Sequence, residues 1–143
     1  MVPYRVEDLM RGYLSSVALA FAVALAASTP VGAEDFSFIA GKYALDTEDC
    51  KLLGKGKPFS KELLGAISQE VLTPEGITSP REVHCKFRSS SAADKGWTVK
   101  ADCEEMGAAE SYELAVTPAA DGALAVVSED VYGPEPLVFK QCK

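Results

Sequence analysis

The chain has 143 residues, a formal net charge of −7, four cysteines and a single histidine. An acidic balance excludes general nucleic-acid or anionic-membrane binding, which draws its affinity from clustered Lys and Arg. One histidine without a Cys-x-x-Cys pair supplies neither a zinc ligand set nor a thioredoxin-type redox centre, and no cofactor is implied.

At the start, Arg5 and Arg11 precede an apolar run from Leu14 to Ala27, and Val31-Gly32-Ala33 offers small residues before a cut at Ala33|Glu34. This pattern predicts a signal peptide over residues 1–33. The run falls short of the uncharged span of about 20 residues that a membrane anchor needs. No stable membrane insertion is expected after cleavage, and the destination is periplasmic or secreted. Residues 34–143 are then one small domain whose core alone is marginal. An even cysteine count in an exported chain points to two disulfides that make up the deficit.

Gly41 to Leu45 reads as the first strand, with Tyr43 and Leu45 inward, and Asp46-Thr47-Glu48-Asp49 breaks it before Cys50. Leu52 to Lys61 contains Gly54-Lys55-Gly56-Lys57-Pro58, a flexible basic loop. Ser60 is placed to cap a helical turn over Lys61 to Leu64, ended by Gly65. A strand over Ala66 to Leu72, a Thr73-Pro74-Glu75-Gly76 turn and a return strand at Ile77-Thr78 follow, interrupted by Ser79-Pro80.

The next two segments share a parity. Val83, Cys85 and Phe87 lie on one face of the first, opposite to His84, Lys86 and Arg88. Trp97, Val99, Ala101 and Cys103 share a face of the second. Setting Cys85 opposite Cys103 puts Phe87 opposite Ala101, Ser89 opposite Val99 and Ser91 opposite Trp97. Ala92 to Gly96 is left as a hairpin loop. This register predicts a Cys85–Cys103 bridge, and Cys50–Cys142 is then the second.

Gly107 permits another reversal. Glu110 to Thr117 alternates, with Tyr112, Leu114 and Val116 on the buried side. Pro118 to Gly122 is a turn, Ala123 to Ser128 a strand, Gly133-Pro134-Glu135-Pro136 a loop, and Leu137 to Cys142 the last strand. Seven or eight short strands at this spacing predict an all-β fold, a small antiparallel barrel or sandwich with two disulfides.

Few residues suggest chemistry. His84 adjoins Cys85 but points to the other face, which makes it an exposed strand histidine rather than half of a Cys-His nucleophile. Asp46-Thr47-Glu48-Asp49 offers carboxylates for Ca²⁺ without the spacing of a calcium loop, and reads as a solvated turn. Asp102, Glu104 and Glu105 are the candidate acids for a hydrolase. Gly54-Lys55-Gly56-Lys57 does not fit a phosphate loop. Trp97 and Tyr112 are the residues that would line a ligand cavity in a barrel.

The set of Gly41-Lys42-Tyr43, Thr73-Pro74-Glu75-Gly76-Ile77, Cys85-Lys86-Phe87, Gly96-Trp97-Thr98-Val99 and Cys142 resembles uncharacterised small periplasmic four-cysteine β-rich proteins of proteobacteria. That resemblance implies location and β structure only. Inhibitors of C-type lysozyme are also small disulfide-bonded barrels, but this chain carries no Ser-Gly-x-x-Tyr. The expectation is a non-enzymatic exported binding or interaction protein, taking another protein or a small apolar ligand. An inhibitor of an envelope-degrading enzyme such as lysozyme is the alternative, and a hydrolase the third reading.

Overall fold

Antiparallel pairing of each strand with the next, and of the last with the first, closes an eight-stranded barrel. The structure, a computed structural model, describes residues 35–54, 59–80 and 83–143. The expected signal peptide, residues 55–58 of the basic loop and Glu82 lie outside the described residues. The strands are β1 (Tyr43–Ala44), β2 (Val71–Thr73), β3 (Gly76–Thr78), β4 (Val83–Ala93), β5 (Gly96–Glu105), β6 (Ala108–Pro118), β7 (Leu124–Ser128) and β8 (Gly133–Gln141). A sandwich is thereby set aside.

The closed sheet points alternate side chains inward, and these fill it. Tyr43, Leu72, Ile77, Phe87, Val99, Leu114, Val116, Val126 and Phe139 form one buried cluster around the Cys85–Cys103 disulfide, and Ile39 joins them from the lead-in. Burying a side chain such as Phe139 contributes about 2–3 kcal/mol. This is a packed core.

Outside the sheet, Ala44 and Val71 are covered by two short helices, α1 (Thr47–Leu53) and α2 (Lys61–Leu64), through Leu53 and Leu63, and by Ile67 in the segment after α2. The Ser60 cap is as expected: its side chain accepts from the Leu63 amide at 3.2 Å. α1 is a correction, because Asp46 to Asp49 begins a helix rather than forming a turn. The Asp46 carboxylate accepts from the Glu48 amide at 2.9 Å and satisfies a donor that the first turn leaves open. Lys51 pairs with Glu48 one turn away.

The strand expected over Ala66 to Leu72 is confined to its end. The Ser68 and Gln69 amides donate to the Asp49 carboxylate at 2.9 and 3.0 Å, and the Ala66 and Ile67 amides to Leu63. Backbone spent on these partners has no donor left for a ladder. Gly133 to Pro136, expected as a loop, instead starts β8, just after a third short helix, α3 (Glu129–Tyr132). The prolines fit because pairing with β7 is made at Gly133 and then from Leu137 to Phe139.

In the central hairpin Cys85 faces Cys103 and Phe87 faces Ala101, as parity requires. Beyond that the expected register fails by one. A bulge at Arg88 shifts the pairing, so Ser90 rather than Ser89 faces Val99, and Ala92 rather than Ser91 faces Trp97. The five-residue loop shrinks to a tight turn at Asp94-Lys95. No apolar pattern in Ser89-Ser90-Ser91-Ala92-Ala93 holds the register there, while the extra residue helps a long strand coil around the barrel.

Candidate functional site

One end of the barrel gathers the β5–β6 turn, the start of β4 and α3. The turn is Met106-Gly107, with φ of 48° and 85°. Two successive positive φ values match the right-handed twist of a two-residue hairpin, where Asn-Gly is the favoured pair. Here the first position holds methionine, and its side chain is 86% exposed. Behind it lies a cleft of about 280 Å³ whose floor is Val83, Cys103 and Val131. Its rim carries Glu105, Glu110 and Asp130, and no cationic side chain lines it among the described residues.

Tyr112 stands in this cleft. Its hydroxyl donates to Glu110 Oε2 at 2.8 Å. That hydrogen bond first, then partial desolvation, then the Glu110, Asp130 and Glu105 charges, hold the phenol above its ordinary value of 10.0. Tyr132 of α3 closes the same end from inside. Its hydroxyl lies 3.5 Å from Cys85 Sγ, and burial, followed by the Glu70 charge, pushes its titration upward. A disulfide sulfur has no proton, so the phenol is the donor.

Trp97 lies elsewhere. It stacks on Phe38 of the lead-in with ring centroids 4.1 Å apart and planes 5° from parallel, near the opposite end of the barrel. Phe36 packs on Phe87 beside it. Trp97 faces Val116 on β6, whereas Tyr112 faces Ala101, so the fold does not bring the two expected cavity residues together. The side chains of the buried cluster occupy the space they would have shared.

Of the three acids, Glu105 is set apart from the other two. Asp102 and Glu104 point out of the sheet and Glu105 has the parity of Cys103. Asp102 accepts from Ser111 Oγ and Arg88 Nε, both at 2.6 Å. Those two bonds, Ser111 foremost, hold its carboxyl below the usual 3.8. His84 is exposed and faces Glu104, and Lys86 faces Asp102, in a row of polar cross-strand pairs. Such rows stabilise a wet sheet face without implying chemistry.

The acidic run before Cys50 is spent on structure. Asp49, buried at 2% exposure, accepts from the Ser68 and Gln69 amides and the Ser68 hydroxyl. Among the described residues, no group of three His, Cys, Asp or Glu side chains is placed to hold a metal. Both disulfides join as expected, Cys85 to Cys103 and Cys50 to Cys142.

Met106, Asp130 and Val131 join the cleft without any functional motif in the sequence. The signal for Met106 was present in a two-residue Met-Gly reversal between alternating segments. α3 had no such signal, because Glu129-Asp130-Val131-Tyr132 has neither length nor a capping bond. No protein family, curated protein or solved structure matches the chain.

Proposed function

We propose that this protein is an exported, non-enzymatic interaction module that engages its partner on its outer surface. The observation that carries this reading is the filled barrel. Core side chains such as Phe139 and Leu114 are fully buried where an internal ligand would have to sit. Small-molecule ligands bind in concave cavities, and core side chains occupy the interior of the barrel, so recognition falls to the surface. Two disulfides fit an oxidising compartment outside the cytoplasm. Among the described residues, no helix is long and apolar enough to cross a membrane. With export directed by residues 1–33, the destination is the periplasm or the medium.

A non-enzymatic role draws support from the acids. Both oxygens of Asp102 are already engaged, by Ser111 and Arg88, and Glu105 faces away from it. The test is a crosslinking screen of the oxidised protein against envelope proteins, paired with mass spectrometry of the native protein. A specific, saturable protein partner with no co-purifying small molecule is expected. A small molecule released only on unfolding would overturn surface recognition. Inhibition assays on the lysozyme classes decide the narrower inhibitor alternative in the same way.

A further inference from the structure

Three properties coincide at the α3 end of the barrel. Met106 is twice as exposed as the other large exposed apolar side chains, Leu52 and Val138, each at 43%. A single exposed apolar residue is ordinary, but this one occupies a left-handed position where asparagine or glycine would relieve the backbone. Beside it the cleft floor is apolar and its rim is anionic. We infer that this end of the barrel is a docking surface for a basic protein, which seats an apolar side chain against Met106 and Val131 and its lysines or arginines against Glu105, Glu110 and Asp130. The inference rests on the interaction-module reading and adds to it the place and the chemistry of the partner.

Charge complementarity selects the occupant. Three carboxylates around one cleft repel one another and any acidic partner. A cationic segment relieves that repulsion and is steered toward the cleft from a distance. The Tyr112 hydroxyl, donating to Glu110 at 2.8 Å, fixes that carboxylate at the cleft wall. Methionine suits the apolar contact, because its unbranched, polarisable side chain adapts to the surface it meets. A second copy of this chain is disfavoured, since it would bring like charge to like.

The test uses the oxidised protein and a synthetic hairpin peptide of alternating lysine and leucine as probe, with a glutamate–leucine peptide as control. Binding is followed by calorimetry and by NMR shifts at Met106, Tyr112 and Val131. The lysine peptide is expected to bind there and the glutamate peptide not at all. Met106→Asn suits the turn and so leaves the protein folded, with a raised melting temperature. It is expected to weaken binding about tenfold, as loss of an anchor does. Glu105→Lys with Asp130→Lys is expected to abolish binding, and an ionic strength of about 1 M to weaken it strongly. Shifts spread over the whole acidic surface, or affinity unchanged in both variants, would overturn the inference. A protein partner from the crosslinking screen that ignores both variants would overturn this location while leaving the interaction-module reading intact.

Discussion

Asp49 ties α1 to the segment that precedes β2. It is nearly sealed from water, and three donors from Ser68 and Gln69 converge on its two oxygens. Replacing it with alanine strands those donors, and a buried partner lost from a charged group costs about 2–4 kcal/mol. Urea unfolding of Asp49→Ala is therefore expected to show a markedly lower midpoint with an unchanged slope. The Asp102 network makes a different prediction, because its members are exposed. Its folded titration lies below the ordinary 3.8, so its contribution is present above that pH and fades as pH falls through the depressed value. Ser111→Ala and Arg88→Ala are each expected to return Asp102 toward 3.8 by NMR titration. Neither role was legible beforehand. An isolated Asp in a run of acids looks like surface until its partners, 19 and 20 residues away, fold against it.

Among the elements, two glycines are needed for space. At Gly76 a Cβ would stand 1.9 Å from the Cys85 carbonyl oxygen, and at Gly96 2.1 Å from that of Val116. Each sits where one strand starts close against a neighbour. Gly76→Ala and Gly96→Ala are each expected to cost about 3 kcal/mol through overlap and forced backbone shifts, seen as a lowered thermal midpoint. Gly76 also has a φ of 153°, which adds strain for any other residue. Strand alternation made β4 to β7 readable, and paired cysteines fixed the first half of the central hairpin. The second half escaped because Ser89 to Ala93 carries no inward pattern, so the bulge at Arg88 left no trace. α1 escaped because seven residues hold too few turns to display a helical period, although Asp46 was a legitimate cap.

At the scale of the whole molecule, the barrel is lopsided. β4, β5 and β6 run for 11, 10 and 11 residues, while β1 has 2. The closing seam rests on Tyr43 and Ala44 paired with Gln141 and Lys140, and on the Cys142 amide donating to Lys42 at 2.8 Å. The Cys50–Cys142 bridge lies at this seam and closes 92 residues of chain. In the chain-entropy picture such a loop contributes about 4–5 kcal/mol, against about 3 kcal/mol for the 18-residue Cys85–Cys103 loop. Replacing Cys50 and Cys142 by alanine is expected to speed amide exchange first at Tyr43, Ala44 and Gln141, with β4 to β6 still protected. Uniform loss of protection would show that the seam has no separate stability. Turn spacing pointed to an antiparallel barrel or sandwich, and closure became visible only in the pairing of β1 with β8. The cleft at the α3 end was not legible in this way, because it assembles residues from three separate stretches of chain.

The two bridges are nested, and that has a consequence for how the protein is made. Thiols leave the ribosome or a translocation channel in the order Cys50, Cys85, Cys103, Cys142, yet the first must join the last. An oxidant acting on cysteines as they appear joins Cys50 to Cys85, a pair the finished barrel does not contain. Native pairing then needs thiol–disulfide exchange, and adding a disulfide isomerase to oxidative refolding is expected to raise the yield of this small domain.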